Sequence, residues 1–275
     1  METEAQEQLL SIEEALKARH SVRNYTGVWS EDKQKIVQQI VDEVNQIQAP
    51  YGTDASVGLH GPGIGRLGFI SNESGWLLIK IPKDKVNTPD YNKYLIDASF
   101  RAHIAVMKLT QHKIGTVWIG GTFNEGLAEQ SNPDFQIPVV VAYGIEAGEK
   151  RYRDYFIGFL SGPKRKPFDT FFYDVKAGKM MKEEEAGNQH DFLMYLRQCP
   201  TSMNNQPMRL NVKENYEYEL FDASGKSYVD MGIYLACAYF FSEGKIKIFT
   251  EPSDATFSTG GKYVCKFTLE PSVFH

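Results

Sequence analysis

The sequence predicts an α+β fold built from two related α/β halves. Apolar residues at helical spacing alternate with short β-rich runs, which is typical of mixed helix and sheet architectures. A pattern of Asp, apolar helix, small-residue turn and strand occurs at residues 95–118 and again at 228–249. We therefore expect two halves, 1–150 and 151–275, with antiparallel or mixed sheets about a pseudo-twofold axis. Chance similarity between two helix–strand units is the alternative.

The composition narrows the class of protein. The chain has 275 residues, a net charge of -5 and 42% hydrophobic residues, and the acidic balance argues against nucleic acid as a partner. The most apolar stretch, 231–241, is far shorter than the roughly 20 residues of a membrane span, and the N-terminus has no signal-peptide pattern. The three cysteines are too few for a disulfide framework or a zinc site. We expect a cytoplasmic protein that binds neither nucleic acid nor a membrane.

Local patterns predict the individual elements. Ser11 and Glu14 have the spacing of a capping box, so the first helix begins there. Helical spacing of apolar residues predicts helices over residues 12–18, 31–47, 96–110, 192–197 and 231–241. β-rich runs predict strands or extended segments over residues 67–70, 76–81, 113–121 and 138–144, and residues 242–249 are predicted to form a small-residue turn followed by a strand. The runs 67–70 and 76–81 are interpreted as a hairpin or as adjacent strands.

A cluster of hydrogen-bond donors follows the first helix, in the sequence Arg19-His20-Ser21-Val22-Arg23. Two fixed positive charges around a hydroxyl and an imidazole suit an anion such as phosphate. Basic residues at the C-terminal end of a helix also complement its macrodipole without binding anything. An anion site and a solvated helix end are both open at this point.

A second polar cluster follows residues 192–197, in the sequence Pro200-Thr201-Ser202-Met203-Asn204-Asn205-Gln206-Pro207. Two prolines bracket a stretch that is rich in hydroxyl and amide groups. This composition predicts a rigid loop with many directed donors and acceptors. An ordinary capped turn is the alternative.

Together with Trp118-Ile119-Gly120-Gly121, these motifs resemble the FMN-dependent nitroreductase superfamily. Their order along the chain is similar to that of the tandem, single-chain members, which are fused pseudo-dimers. The motifs come from 19–23, 115–121 and 200–207, so the resemblance covers most of the chain. It implies a nitroreductase-like fold with FMN as cofactor.

The resemblance also implies one composite FMN site. In the family's usual homodimers, FMN lies between the Arg-x-Ser segment of one subunit and the Pro-Ser-rich loop of the other. Here the first half has the segment 19–23 and the second half has the loop 200–204. Residues 49–65 hold Gly, His and Pro where the reciprocal loop would be. We predict one FMN per chain and a monomeric pseudo-dimer, with a homodimer as an open alternative.

The resemblance assigns roles to individual residues. Arg19 and Ser21 would bind the FMN phosphate, His20 would pack beside the phosphate or the ribityl chain, and Arg23 would lie near the pyrimidine edge. The Gly120 backbone N–H would donate to flavin N5, at a position where many relatives have an acidic residue. The other flavin contacts implied are Trp118, Ile119, Gly121, Pro200, Thr201, Ser202 and Asn204.

A basic run, Lys164-Arg165-Lys166, resembles the element with which the family closes its phosphate pocket. We favour Lys164 and Lys166 as phosphate contacts. A charge run that forms a solvated face is the alternative.

The activity that the resemblance implies is an FMN-dependent NAD(P)H oxidoreductase. NADH or NADPH would be the donor, and nitroaromatic or quinone-type compounds would be reduced in a ping-pong reaction. Because the flavin carries the chemistry, no catalytic side chain and no metal are expected. A specialised flavin oxidoreductase, such as a dehalogenase-like enzyme, and a non-catalytic flavin-binding or sensor protein are the alternatives.

Overall fold

A computed structural model of the chain describes residues 8–148 and 165–274. Within these ranges the helices are α1 (Ile12–Ala18), α2 (Glu31–Gln46), α3 (Tyr91–Gln111), α4 (Glu125–Gln130), α5 (His190–Gln198) and α6 (Tyr228–Phe241). The strands are β1 (Ser56–His60), β2 (Gly75–Pro82), β3 (Gly115–Ile119), β4 (Phe135–Gln136), β5 (Val140–Gly144), β6 (Phe172–Asp174), β7 (Lys179–Met180), β8 (Met208–Val212), β9 (Glu217–Asp222), β10 (Ile246–Phe249) and β11 (Lys262–Leu269). No helix of the described residues is both long and apolar enough to cross a membrane.

The strands form two sheets that share the order of four of their strands. The first sheet has the order β1-β2-β5-β3, with β4 paired to β2, and the second has the order β10-β11-β9-β8-β6-β7. In the first sheet, β1 and β2 precede the long helix α3, β3 follows it at a sheet edge, and β5 lies between β3 and β2. In the second sheet, β8 and β9 precede the long helix α6, β10 follows it at a sheet edge, and β11 lies between β10 and β9. The β6–β8 pair is parallel. The predicted α+β class with antiparallel and mixed sheets is confirmed.

The two long helices also end alike. At the end of α3, Lys113 has φ 55° and the Ile114 N–H donates to the Leu109 carbonyl at 2.9 Å. At the end of α6, Glu243 has φ 53° and the Gly244 N–H donates to the Tyr239 carbonyl at 2.8 Å. Both are Schellman-type ends that turn the chain into an edge strand. The predicted boundary of the halves, at residues 150 and 151, lies outside the described residues.

The helices α3 and α6 pack against each other at the centre of the molecule. Every residue of α3 from Ile96 to Met107 is buried, and so are most residues of α6. Together with residues of both sheets they form one hydrophobic core. The core therefore joins the first and the second parts of the chain, since each contributes one of the two central helices.

The first sheet is covered on both faces. In β2, Leu77 and Ile79 face the central core, whereas Trp76 and Leu78 face a smaller cluster. Successive side chains of a strand point to opposite faces, so a strand buried on both sides has a continuous apolar sequence. This explains the uninterrupted run of apolar residues at 76–79.

Most local predictions are confirmed, with one correction. Ser11 and Glu14 form the predicted capping box. The run 67–70, however, is a turn and not a strand, since Leu67 and Gly68 have φ values of 60° and 62°. The antiparallel partner of β2 on this side is β1, which the sequence patterns did not indicate.

Candidate functional site

A cleft of about 560 Å³ brings together residues from both parts of the chain. Its volume lies in the range of about 300–1,000 Å³ that is usual for ligand sites. The first part contributes Arg19, Ser21, Arg23, Trp118, Gly120, Pro138 and Val139. The second contributes Arg165, Pro200, Thr201, Ser202, Met203, Asn204, Val229, Asp230 and Ile233.

The segment after α1 runs beside β3 and so reaches the cleft. The Val22 N–H donates to the Thr116 carbonyl at 3.0 Å, and Ser21 pairs with Thr116 as an isolated parallel bridge. Gly115 permits this close approach, because a Cβ there would lie 2.8 Å from the Val22 Cγ2. In this extended segment, alternate residues point to opposite sides. Val22 is buried in the smaller cluster, and its neighbours line the cleft.

Arg19 lines the cleft as a half-buried cation. Burial lowers the pKa of its guanidinium, and the groups that oppose this shift most are the phenol of Tyr195 and the thiols of Cys237 and Cys199. Within residues 8–148 and 165–274, the Arg19 side chain makes no hydrogen bond or ion pair. A cation that is partly removed from water without a counter-charge is unfavourable unless an anion joins it.

Trp118 and Gly120 belong to the edge strand β3 and the turn after it. The Trp118 indole N–H points to the Nδ1 atom of the buried His103, with 3.4 Å between the two nitrogens. Ile119 between them is buried in the smaller cluster on the other face of the sheet. Strand alternation thus separates Ile119 from the cleft, although the sequence interpretation placed all four residues 118–121 against the flavin.

The loop 200–204 forms the opposite wall. Residues 202–204 make one short turn, in which Met203 and Asn204 have the left-handed φ values of 48° and 54°. Gln206 holds this turn from behind, since its backbone N–H donates to the Thr201 hydroxyl at 3.1 Å and its side-chain amide donates to the Asn204 carbonyl at 3.0 Å. The predicted rigid polar loop is therefore held by directed hydrogen bonds.

Arg165 connects the basic run to this loop. Its guanidinium donates to the Cys199 carbonyl at 3.1 Å, to the Gln198 carbonyl at 2.7 Å and to the Asn204 Oδ1 at 3.3 Å. Lys166, which the sequence interpretation favoured, directs its Nζ to the Asn205 carbonyl at 2.8 Å and does not line the cleft. Lys164 lies outside the described residues. The structure therefore brings Arg165, and not Lys166, to the cleft.

Three further predicted residues lie outside the cleft lining. The His20 ring contacts the Ala18 carbonyl and the Glu146 carboxylate, each at 2.9 Å, at the protein surface. Ile119 faces the smaller core, as described above. Gly121 follows Gly120 in the turn but is not part of the lining. The remaining predicted residues, namely Arg19, Ser21, Arg23, Trp118, Gly120, Pro200, Thr201, Ser202 and Asn204, all meet in the cleft.

Sequence reasoning missed several lining residues. Val229, Asp230 and Ile233 lie in the first turns of α6, and Asp230 has a signal in the sequence, since it begins the repeated helix–strand pattern. Pro138 and Val139 precede β5 and carry no local signal of a site. The described residues contain no group of His, Cys, Asp and Glu that could hold a metal ion.

The α+β fold holds a cleft between the two parts of the chain, and three arginines, Arg19, Arg23 and Arg165, line it. A family model described as "Putative TM nitroreductase" matches residues 11–241. The chain therefore belongs to this nitroreductase family. The predicted family resemblance is confirmed, and the tandem, fused type stays a prediction.

A solved structure gives the same result for the fold. A "putative nitroreductase" from Thermotoga maritima is 16% identical with a TM-score of 0.65, over 98% of this chain and 99% of that one. A "putative NAD(P)H:FMN oxidoreductase" from Staphylococcus epidermidis is 15% identical with a TM-score of 0.44, over 60% of this chain and 98% of that one. No curated protein matches this chain.

Proposed function

We propose that this protein is an FMN-dependent NAD(P)H oxidoreductase that reduces nitroaromatic or quinone-type compounds. One observation carries the proposal. The half-buried Arg19 has no counter-charge among the described residues and shares a cleft of suitable size with the Ser21 hydroxyl and the loop 200–204. Such an arrangement favours a phosphorylated ligand. Membership in the nitroreductase family supports FMN as that ligand.

The residues of the cleft fit the two ends of this cofactor. Arg19, Ser21 and Arg165 would hold the phosphate, since two guanidinium groups and a hydroxyl offer charge-assisted and neutral donors. The flavin ring would lie between Trp118 and Gly120 on one side and the loop 200–204 on the other. A Cβ at Gly120 would meet nothing within 4 Å, so the backbone there is open to a planar ligand.

In the proposed reaction, the protein would mainly orient the cofactor and the substrates, and reactive side chains would matter less. When bound, FMN would supply hydride acceptance from NADH or NADPH and electron donation to a second substrate. Arg23 lines the cleft as a cation and would stabilise negative charge on the cofactor. Among the described residues, the cleft lining includes no Cys, His or Lys.

The second part of the proposal is that one chain binds one FMN. The pocket beside the corresponding loop of the first part is lined mainly by apolar side chains, among them Phe100, Ile246 and Phe249; among the described residues its lining includes one cation, Lys247, but no Arg and no Ser. A phosphate would find no guanidinium there. The repeated strand order of the two sheets supports the interpretation of the chain as a tandem pseudo-dimer with one functional cleft.

The test is the visible absorbance spectrum of the purified protein, with the released flavin identified and counted per chain. One FMN per chain that bleaches on anaerobic addition of NADH or NADPH is the expected result. Two FMN per chain would contradict the single composite site. No flavin, even after reconstitution, would overturn the proposal.

A further inference from the structure

Asp230 is a buried carboxylate at the edge of the cleft. It lies in the first turn of α6, is 3% exposed, and lines the cleft beside Val229 and Ile233. Its Oδ1 accepts a hydrogen bond from the Ser202 backbone N–H at 3.0 Å. The carboxylate thus joins the helix of the central core to the loop 200–204.

A charge at this position is unfavourable for the fold. Burial raises the pKa of Asp230 to about 6, the Ser202 N–H opposes this shift, and the nearby Asp222 adds to it. Asp222 itself is occupied by the backbone N–H groups of Ser224 and Ser227. Buried carboxylates are rare unless they are paired. The stability of the fold alone therefore does not explain why a carboxylate at this position binds the loop.

The loop by itself is strained. Met203, Asn204 and Gln206 have φ values of 48°, 54° and 52°, in the left-handed region that is unfavourable for residues other than glycine. Such a conformation persists only where the surroundings hold it. Arg165 and Gln206 hold the second half of the turn, and Asp230 holds its start at Ser202.

The first part of the chain also contains a buried carboxylate that accepts hydrogen bonds from a loop. Asp97 of α3 is fully buried and accepts hydrogen bonds from the backbone N–H groups of Tyr51, at 2.9 Å, and Thr53, at 2.8 Å. These residues lie in the loop before β1, as residues 200–204 lie in the loop before β8. Asp97 is not part of the cleft lining. Two carboxylates therefore fix two corresponding loops, and only one of these loops borders the candidate site.

We propose that Asp230 is a positioning residue that fixes the loop 200–204 in the conformation that binds the flavin. The proposal rests on the proposed function of the cleft. It assigns Asp230 no contact with the reacting atoms. Its effect is exerted through Ser202, whose neighbours in the turn line the cleft.

The test compares Asp230→Ala, Asp230→Asn and Asp97→Asn in the full chain. FMN affinity is measured by quenching of flavin fluorescence, and the visible circular dichroism of the bound flavin reports its environment. Asp230→Ala removes the acceptor, so affinity is expected to fall at least about 10-fold, as for loss of a hydrogen bond to a charged group. Asp230→Asn keeps an acceptor oxygen and is expected to restore affinity to within about threefold and to restore the dichroism.

Asp97→Asn is the matched control. It removes the charge from the corresponding carboxylate and loosens the other loop, so it is expected to lower thermal stability and leave FMN affinity unchanged. A folded Asp230→Ala variant with unaltered affinity would overturn the proposal. Equal losses in Asp230→Ala and Asp97→Asn would also overturn it, since they would indicate general destabilisation. If the unsubstituted chain bound no FMN, the proposed function itself would fail.

Discussion

Gly232 of α6 lies directly against the backbone of Ile96 in α3. A Cβ at position 232 would overlap the Ile96 carbonyl oxygen and would lie 2.9 Å from the Ser99 Cβ and 3.0 Å from the Phe100 nitrogen. The two central helices therefore approach each other as closely as their backbones allow. These helices come from the two parts of the chain, so the contact joins those parts directly.

Gly232→Ala is expected to destabilise the protein by about 3 kcal/mol or more, since overpacking against a rigid backbone cannot be relieved by a side-chain rotation. Urea unfolding followed by circular dichroism measures the change. Gly126→Ala is the control, because Gly126 is exposed in α4 and its nearest atom to a new Cβ is 3.6 Å away. A Gly232→Ala variant as stable as the unsubstituted protein would contradict the described helix contact.

Arg19→Ala combined with Ser21→Ala is expected to weaken FMN binding by about 100-fold or more, since each substitution removes a donor from the proposed phosphate position. Equilibrium titration of the flavin-free protein with FMN provides the measurement. Lys17→Ala removes a neighbouring cation whose ion pair with Glu13 is exposed and is expected to leave affinity within about twofold. Unaltered affinity in the double variant would exclude the phosphate assignment.

Arg165 and Lys166 are adjacent cations with different surroundings, so a pair of single variants separates them. Arg165→Ala removes a cleft-lining guanidinium and its three hydrogen bonds to residues 198–204, and FMN affinity is expected to fall at least about 10-fold. Lys166→Ala removes a cation outside the lining, with an expected loss of less than about threefold. The opposite ranking of the two affinities would restore the interpretation from the sequence.

Asp230→Asn is expected to change the pH dependence of stability. The pKa of this carboxyl is about 6 in the folded protein and about 3.9 when unfolded, so the folded state holds the proton more tightly. Asp230 should therefore contribute about 3 kcal/mol to the free energy of unfolding below pH 4, and this contribution is lost as pH rises to about 6.

The Asn variant lacks this titration and should gain stability relative to the unsubstituted protein at pH 7. Urea unfolding of the flavin-free proteins at pH 4.5 and pH 7 gives the comparison. Equal pH dependence in both proteins would show that Asp230 does not titrate in this window. Asp97→Asn is expected to change the pH dependence in the same direction, because burial also raises the pKa of Asp97, although the backbone N–H groups of Tyr51 and Thr53 oppose this shift.

Local patterns predicted the helices well because capping and apolar spacing act within a few residues. Ser11 caps α1 as expected, and α2 ends within one residue of its predicted end. The prediction of a strand at residues 67–70 was wrong because it, too, depended on local sequence alone. Local β propensity does not determine which segments pair in a sheet. Leu67 adopts a left-handed turn, and β2 pairs instead with β1 and β5.

The sequence predicted those residues of the candidate site whose side-chain direction is determined by the motif in which they lie. Residues 200–202 and 204 meet Arg19, Ser21 and Arg23 in one cleft. His20 and Ile119 were not predictable in this way, since partners distant in sequence decide their direction. Glu146 holds the His20 ring at the surface, and the smaller core holds Ile119 on the opposite face of β3.

By itself, the sequence determined the α+β class, the helix positions and the two polar motifs, because these depend on composition and on spacing along the chain. Only the tertiary structure decided which residues of those motifs share a cleft. The choice of Arg165 over Lys166 and the link from Asp230 to Ser202 depend on the packing of α6 against α3 and on loop geometry. Contacts between residues 28 or more positions apart leave no periodic trace in the sequence, so the fold alone defines them.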